Sequence, residues 1–429
     1  MRYLITIFFL LLQNILFAQS LQWAKGMGGT GDDRGHSIAT DALGNVFTTG
    51  EFEGTADFDP GPAVYNLTAN GLRDIFVSKL DAAGNFLWAK AMGASDFDVG
   101  KSLVLDVGGN VYVTGSFSGT VDFDPGPGVF NLLSPNSNNI FILKLDAAGN
   151  FVWVKELGGP NGSDLGYAIA IDAAGNLYST GRFLWTADFD PGPGTYNLTA
   201  TNTFYADVYI SKLDPAGNFL WAKQLGGNDD DWGYAITVDA TGNIYTTGFY
   251  SNTADFDPGP GVFNLTATPG VFGAGADIFI SKLDAAGNFV WAKTIGGADA
   301  EYGYGIKTDA SGNVYTTGQF TGTIDIDPGP GSSILTGPGF GYGYFVLKLD
   351  PTGNFLWGKM LAGAGNGVTT DLSGNVYTVG YSGMTKLDPA GNILSAVTES
   401  SLGQGISVDA AGYIYRTGVY YSVTDFDPT

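Results

Sequence analysis

The chain has no cysteine and only one histidine, His36, among its 429 residues. Without thiols it can form no disulfide, thiolate nucleophile or cysteine-ligated zinc site, and a single histidine excludes a multi-histidine metal site. Positive charge is also scarce, because 19 lysines and arginines stand against 42 aspartates and glutamates, giving a formal net charge of −23 at pH 7. This balance argues against binding to nucleic acid or to an anionic membrane surface. A cation, a neutral glycan or a protein remains compatible as ligand, as does solubility at a cell surface.

Long hydrophobic runs are missing after the N-terminus, so we expect no transmembrane segment in the mature chain. Residues 1–18 have the pattern of a signal peptide. Arg2 precedes an apolar stretch from Leu4 to Leu12, and Ala18 is a plausible last residue before cleavage. We therefore expect a secreted or cell-surface protein whose folded domain covers residues 19–429.

What the sequence has in abundance is repetition. Tryptophan followed two residues later by lysine recurs about every 65 residues, at Trp23, Trp88, Trp153, Trp221, Trp291 and Trp357. One unit, from Gly166 to Gly227, contains four short alternating segments separated by turns, and helical periodicity is absent. Four short strands per repeat predict an all-β fold, a β-propeller of four-stranded antiparallel blades.

The turns of the repeat share the pattern Asp-x-x-Gly. Glycine suits a turn position that needs a positive φ, and the aspartate can accept hydrogen bonds from the amides of its own turn. We therefore interpret these residues as structural. The pattern begins at Asp41, Asp81, Asp106, Asp146, Asp172, Asp214, Asp239, Asp284, Asp309, Asp350, Asp371, Asp388 and Asp409.

The unit resembles the bacterial SBBP-type β-propeller repeat, whose core reads Asp-x-x-Gly-Asn-x-Tyr-x-Thr-Gly. The matching segments include DAAGNLYSTG (172–181), DATGNIYTTG (239–248) and DASGNVYTTG (309–318). The resemblance extends over about residues 21 to 429 and implies a propeller of an exported bacterial surface protein. It implies a fold rather than a reaction, and it offers no catalytic residues.

Seven first-strand turns predict seven blades, of which the sixth is short and the seventh incomplete. The N-terminal segment 21–29 has the sequence of a fourth strand, and we expect it to close the ring beside residues 404–427. Because the last unit stops after Asp427-Pro428-Thr429, we interpret it as truncated.

The connector DFDPGP supplies pairs of aspartates on the loop-rich face of the disc. Residues i and i+2 of an extended segment point to one side, so each pair could face one calcium ion. Alternatively, the carboxylates accept hydrogen bonds from local amides. No cofactor is certain, and calcium is the candidate. The pairs are Asp57 and Asp59, Asp122 and Asp124, Asp188 and Asp190, Asp255 and Asp257, and Asp325 and Asp327.

A second acidic feature precedes the first strand of five repeats. We expect these carboxylates to ring the mouth of the central channel, or alternatively to cap the strand by local hydrogen bonds. Tyrosines follow three of them, and Trp185 and Trp232 depart from the repeat, so all are candidates for a ligand-binding face. The candidates are Asp33, Asp98, Asp164, Asp231, Glu301, Tyr167, Tyr234 and Tyr304 together with the two tryptophans.

The leading hypothesis is an exported, non-enzymatic binding or scaffolding module at the cell surface, with calcium as the candidate stabilising ion. Nearly every motif repeats from blade to blade, whereas a catalytic site draws unlike residues together. The alternative is a carbohydrate-active enzyme that uses carboxylates at the channel mouth.

Overall fold

A computed structural model describes residues 21–270, 275–339, 341–363, 365–381, 383–398 and 402–420. The predicted signal peptide and residues 421–429 lie outside this part. All the regular elements of the described residues are strands. In the same part of the chain, no helix is long and apolar enough to cross a membrane.

The N-terminal strands form a first sheet of order β2-β3-β6-β7 and a second of order β8-β9-β10-β11. Their bounds are β1 (Gly28–Gly29), β2 (Arg34–Thr40), β3 (Val46–Phe52), β4 (Thr55–Asp57), β5 (Asn66–Thr68), β6 (Asp74–Leu80), β7 (Phe86–Met92), β8 (Val99–Leu105), β9 (Val111–Asp122), β10 (Asn131–Leu145) and β11 (Phe151–Leu157).

The third and fourth sheets have four long strands each, in the orders β12-β13-β16-β17 and β18-β19-β22-β23. The bounds are β12 (Leu165–Ile171), β13 (Leu177–Phe183), β14 (Thr186–Asp188), β15 (Asn197–Thr199), β16 (Asp207–Leu213), β17 (Phe219–Gly227), β18 (Trp232–Val238), β19 (Ile244–Ser251), β20 (Thr253–Asp255), β21 (Asn264–Thr266), β22 (Ala276–Leu283) and β23 (Phe289–Gly297).

The fifth and sixth sheets follow the same order, and a two-stranded sheet ends the described chain. The bounds are β24 (Tyr302–Thr308), β25 (Val314–Phe320), β26 (Thr323–Asp325), β27 (Ile334–Thr336), β28 (Gly343–Leu349), β29 (Phe355–Leu361), β30 (Gly367–Thr370), β31 (Val376–Gly380), β32 (Gly383–Leu387), β33 (Ile393–Thr398), β34 (Leu402–Val408) and β35 (Ile414–Val419).

The sheets stand around one cavity, and the first strand of each sheet lines it. Strand β34 of the last sheet packs against β2 of the first, which closes the ring. Because neighbouring strands are antiparallel, both hairpin turns of a sheet lie at one end of the channel. The connectors between second and third strands lie at the other end, which we call the loop-rich end. The architecture is that of a β-propeller.

The Asp-x-x-Gly turns owe their shape to two side chains. In the first turn, Asp41 Oδ1 accepts hydrogen bonds from the amides of Leu43 and Asn45, and Asn45 Nδ2 donates to Asp41 Oδ2 over 2.7 Å. Gly44 adopts a φ of 77°, which a glycine tolerates without strain.

A tryptophan and a lysine from one sheet hold a turn of the next. Trp88 Nε1 and Lys79 Nζ both donate to the carbonyl of Ala147, over 3.4 and 3.2 Å. Lys79 also lies over the ring of Phe47, 4.6 Å from its centroid. We call this arrangement the inter-sheet clasp. It recurs where Trp291 and Lys282 both reach Pro351, and where Trp357 and Lys348 both reach Pro389.

The N-terminal segment reaches the last sheet through side chains. The ring of Trp23 lies 6.4 Å from that of Tyr415 on β35, and Trp23 Nε1 donates to the carbonyl of Ala82 in the first sheet. Trp23 thus occupies the place that a fourth-strand tryptophan has elsewhere. Only Gly28–Gly29 forms a strand, and it pairs with β4 of the first repeat rather than with the last sheet. Residues 421–427 of the expected partner lie outside the described residues.

Candidate functional site

A ring of side chains surrounds the loop-rich end of the central cavity, and β-bulges place it there. In β2 the register with β3 shifts between Gly35 and Ser37, so His36 is the extra residue. A bulge of this kind re-aims a side chain, and the same shift recurs in β8, β12, β18, β24 and β34. The cavity measures about 200 Å³, and its wall includes His36, Lys101, Tyr167, Tyr234, Tyr304, Asn366 and Gln404.

Aromatic rings form a continuous sector of this ring. The ring centroids of Tyr167 and Tyr234 lie 5.2 Å apart, and those of Tyr234 and Tyr304 lie 5.3 Å apart. Trp232 contacts both Tyr167 and Tyr234, at 6.2 and 6.0 Å. Phe249 extends the sector by packing against Trp232 at 5.3 Å. The structure therefore brings together four of the aromatic residues singled out from the sequence: Tyr167, Tyr234, Tyr304 and Trp232.

Arg182 lies inside the aromatic sector. Its guanidinium carbon is 4.1 Å from the centroid of the Trp232 ring, the geometry of a cation–π contact. Its Nε is buried and has no hydrogen-bond partner among the described residues. Burial raises the pKa of Tyr167, and the nearby Arg182 charge partly offsets that rise.

A charged cluster occupies the neighbouring sector. Arg73 Nη1 lies 2.8 Å from Glu51 Oε1, and its Nη2 lies 3.0 Å from Asp32. Arg34 lies 3.2 Å from the same aspartate. His36 Nε2 lies 3.8 Å from Glu51 Oε2. Two arginines and two acids thus satisfy one another beside the histidine.

Glu51 is the buried centre of this cluster, with 3% of its surface exposed. Burial by itself raises its pKa, but the nearby His36 ring and the charges of Lys101 and Arg73 outweigh burial and lower the pKa to about 2. Lys101 Nζ also lies 3.3 Å from His36 Nε2. Burial lowers the pKa of His36 and also that of Lys101. Glu51 is therefore ionised at neutral pH, and His36 is largely neutral.

The carboxylates expected to ring the channel mouth accept hydrogen bonds from backbone amides. Asp98 accepts hydrogen bonds from the amides of Ala94 and Ser118, over 2.7 and 3.0 Å, and so ties the end of one sheet to the next. The structure thus agrees with the alternative of local hydrogen bonds rather than with a ring at the mouth for the four acids that have no exposed surface: Asp98, Asp164, Asp231 and Glu301.

The same double contact is made by three more of these aspartates. Asp33 binds the amides of Gly29 and Glu53, and Asp164 and Asp231 make the equivalent pairs. Glu301 differs, since its Oε2 accepts from Gly297 over 3.1 Å while its Oε1 is buried without a partner. Burial raises the pKa of Glu301 to about 8 and that of Asp164 to about 7.

The paired aspartates of the DFDPGP connectors accept hydrogen bonds from amides. Asp122 Oδ1 accepts from Asp124 and Phe130, over 3.0 and 2.8 Å, and Asp124 Oδ1 accepts from Gly126. The other pairs repeat this pattern, at Asp57 and Asp59, Asp188 and Asp190, Asp255 and Asp257, and Asp325 and Asp327. Within the described ranges no three acidic or histidine side chains group to hold a metal ion.

Trp185 lies apart from the aromatic sector, in the turn between β13 and β14. It is 46% exposed and adopts a φ of 65°. Gly54, Gly119 and Gly322 occupy the equivalent position in other repeats with similar φ values. A side chain in this conformation costs about 1–2 kcal/mol relative to glycine.

Sequence reasoning missed the arginines of the site, although a signal for them exists. Most lysines stand at one of two repeat positions, either two residues after the tryptophan or at the clasp position of the third strand, whereas Lys101 and Lys307 do not. Arg34, Arg73 and Arg182 also stand outside the repeat pattern, and all three lie at the loop-rich end of the channel. Four of the cations that break the repeat, Arg34, Arg73, Lys101 and Arg182, therefore lie at the candidate site, whereas Lys307 lies further along β24.

A family model described as a β-propeller repeat, SBBP, matches residues 152–182 and 220–257. A curated relative, an uncharacterized WD repeat-containing protein of Acanthamoeba polyphaga mimivirus, is 25% identical over 442 residues, covering 84% of this chain and 31% of the relative. The regulatory protein FlaEY of Caulobacter vibrioides is 28% identical over 165 residues, covering 38% of this chain and 16% of that protein. The chain thus spans less than a third of the length of these two relatives.

Among solved structures, the WD40 domain of Neurospora crassa Pan2 aligns with a TM-score of 0.46 and 9% identity, covering 91% of this chain and 90% of that domain. BamB from Moraxella catarrhalis aligns with a TM-score of 0.41 and 14% identity, covering 91% of this chain and 99% of BamB. The sheet topology and the two family matches agree with each other. The chain is a β-propeller, and two of its segments, residues 152–182 and 220–257, match the SBBP repeat.

Proposed function

We propose that this protein is an exported, non-enzymatic binding module whose ligand contacts the loop-rich end of the central channel. One observation supports this site above others. The side chains that depart from the repeat, Arg34, Lys101, Arg182 and Trp232, converge on that end. The repeated motifs, by contrast, are engaged in turns and in contacts between sheets.

The chemistry of the charged cluster favours binding over catalysis. A general acid or base works best when its pKa lies near the working pH, and that of Glu51 is about 2. Asp164 and Glu301, whose pKa values are raised, are fully buried. This weakens the case for a glycosidase that uses acids at the mouth, since four of the five acids expected there have no exposed surface.

The test is a screen of immobilised saccharides and proteins with matched variants. Trp232→Ala and Tyr234→Ala alter the aromatic sector. Val107→Ser is the control, because Val107 is fully exposed on a turn at the opposite end of the channel. We expect at least one ligand whose affinity falls tenfold or more in both mouth variants and stays unchanged in the control. The proposal is contradicted if the affinity of every ligand is the same for Trp232→Ala, Tyr234→Ala and the unmodified protein. It is also contradicted if the protein chemically converts a bound ligand.

Export is part of the proposal and rests on the pattern of residues 1–18. Expression in a bacterial host should release a protein whose N-terminal residue is Gln19. N-terminal sequencing of the secreted material decides this, and an intact Met1 in the cytoplasmic fraction contradicts it.

We do not include calcium in the proposed function, because amides already occupy one oxygen of each connector aspartate. We expect equal melting temperatures in chelator, calcium and magnesium at fixed ionic strength. A rise in calcium alone, lost on replacing Asp122 and Asp124 with asparagine, would instead show binding to the folded state.

A further inference from the structure

The outer edge of the last sheet is covered less than the same place in the six complete sheets, those with four long strands. Among the described strands, β35 pairs with β34 on one side only. The second strands of the complete sheets pair on both sides and are largely buried, whereas five of the six residues of β35 are half-buried. Tyr420 follows β35 directly and is 47% exposed, although its counterparts have no exposed surface: Phe52, Phe117, Phe183, Tyr250 and Phe320.

The N-terminal segment lies one strand width beyond this edge. In the second sheet the rings of Tyr112 and Trp153 are 6.0 Å apart, although β10 lies between the strands β9 and β11 that carry them. Tyr415 of β35 and Trp23 make the same contact at 6.4 Å. Because neighbouring strands of a sheet lie about 4.8 Å apart, the interval between β35 and Trp23 has room for one extended segment.

In the complete sheets a lysine of the third strand lies in this interval. Lys79 of β6 pairs with Phe47 of β3 on one side and with Trp88 of β7 on the other. A third-strand lysine lies over the aromatic ring of the second strand in all six of these sheets. No described lysine lies over Tyr415, whose hydroxyl donates to Asp409 over 3.1 Å. The ring face and the nearby carboxylate therefore suit a cation.

The first sheet presents a matching acceptor to the same interval. Three turn carbonyls accept from a tryptophan and a lysine together, and that of Ala147 is one of them. The carbonyl of Ala82 accepts from Trp23, and no described lysine donates to it. Strand β35 also carries Thr417 where the second strands of four complete sheets carry a threonine that donates to a third-strand carbonyl. A third strand would complete all of these contacts.

We propose that β35 accepts an extended segment of a partner protein, which adds as an antiparallel strand between β35 and residues 21–25 and places a lysine over Tyr415. The site lies on the outer side of the last sheet and is separate from the channel mouth. Main-chain hydrogen bonds to β35 supply affinity, and alternating side chains supply specificity. The net charge of −23 attracts a segment that carries lysine. The Tyr420 side chain, whose hydroxyl reaches Gly26, turns aside when the segment enters.

The third strands of this chain define the sequence of the occupant. Residues 207–213 read DVYISKL, with alternating apolar residues and lysine as the sixth residue. The chain's own residues 421–429 have a different pattern, because residues 425–428 are DFDP, the sequence of the connector at 57–60. A peptide with the third-strand sequence is therefore the probe of choice.

The test is fluorescence anisotropy with a labelled peptide of residues 207–214, DVYISKLD. We expect saturable binding to the unmodified protein. Ile210→Pro in the peptide should weaken binding at least tenfold, because proline removes an amide donor and is excluded from a central strand. Lys212→Gln in the peptide should weaken binding several fold, since the contacts with Tyr415 and with the carbonyl of Ala82 are lost.

Matched variants of the protein locate the site. Tyr415→Leu keeps an apolar side chain but removes the ring, and it should weaken binding at least fivefold. Tyr413→Asn is the control, because Tyr413 is 53% exposed on the turn before β35 and the other repeats have asparagine there. It should leave the affinity unchanged. Near-UV circular dichroism verifies that each variant is folded, and Thr417→Val replaces Tyr415→Leu if that variant is not.

Hydrogen exchange identifies the strand that the peptide joins. Bound peptide should slow amide exchange in β35 at least tenfold and leave β12 to β17 unchanged. Failure of the unmodified protein to bind the peptide overturns the proposal. Equal binding of the proline peptide, or binding without added protection of β35, shows that the contact lies elsewhere. Binding that appears only after removal of residues 421–429 shows that the end of the chain itself occupies the edge.

Discussion

Glu301 occupies the position that an aspartate has in the preceding repeats. Its side chain is one methylene longer, and it makes one hydrogen bond fewer. Asp98, Asp164 and Asp231 each bind two amides, the second 20 residues further along the chain. Glu301 binds one, and its Oε1 is buried without a partner. We expect Glu301→Asp to restore the second bond, to Thr321, and to raise the free energy of unfolding by about 1 kcal/mol. Urea denaturation measures this, and a loss of stability would show that the longer side chain is needed.

The same carboxyl predicts a pH dependence of stability. Its pKa is about 8 in the folded protein, above the ordinary value of 4.5, chiefly because of burial. The folded state therefore holds this proton more tightly than the unfolded state does. The free energy of unfolding should fall as pH rises from about 4.5 through 8, by about 1.4 kcal/mol for each unit of pKa difference.

Thermal melts between pH 5 and pH 9 test this dependence. Glu301→Gln cannot ionise, so its melting temperature should fall less than that of the unmodified protein over this range. Asp98 and Asp164, whose pKa values burial also raises, contribute the same sign in both proteins. Parallel pH profiles would contradict the assignment to Glu301.

At the level of strands and turns, the inter-sheet clasp favours glycine at one position of the turn that it holds. A Cβ at Gly149 would meet Trp88 at 3.0 Å, whereas a Cβ at Gly109 in the same sheet meets only Ala147 at 3.5 Å. Both have a positive φ, 80° and 77°. We expect Gly149→Ala to cost about 1–3 kcal/mol more than Gly109→Ala, because Trp88 must move. Equal costs in urea denaturation would mean that the clasp adjusts freely.

The strands and turns are also what the sequence predicts best. Four strands per repeat follow from alternation and from the Asp-x-x-Gly turns, since both are local properties of the chain. The role of the acids before each first strand is not local. Asp98 acquires its second partner, Ser118, only when the first two strands of that sheet pair. Spacing alone therefore placed these carboxylates near the channel but could not show that they are buried.

The candidate binding site is the part of the molecule that the sequence predicted least completely. The sequence identifies Tyr167, Tyr234 and Tyr304 as candidate ligand-binding residues because they occupy equivalent positions of three repeats. It does not identify Arg182, since this residue stands on a different strand and reaches Trp232 only across the boundary between two sheets. Contacts between neighbouring repeats depend on the twist of the ring, which no single repeat encodes.

For the whole molecule, the ring closes where β34 and β35 pack against β2, and Trp23 adds a side-chain link across that junction. Trp23 packs against Tyr415 and binds the carbonyl of Ala82, which links the last sheet to the first. We expect Trp23→Ala to accelerate amide exchange in β34 and β35 at least tenfold while β12 to β17 keep their protection. Trp88→Ala, at the equivalent position of a complete sheet, is the control and should leave β34 and β35 unchanged. Uniform acceleration throughout would show that the ring opens only by global unfolding.

The inter-sheet clasp has a consequence for how such a chain can grow. Where the clasp forms, tryptophan and lysine reach forward to a backbone carbonyl, so the junction between two repeats requires a glycine in the turn that it holds but no specific side chain. A duplicated or deleted repeat would therefore meet compatible neighbours on both sides. Gene-level gain and loss of whole units can thus change the diameter of the disc without redesigning an interface, while the variable residues at the bulges diverge separately.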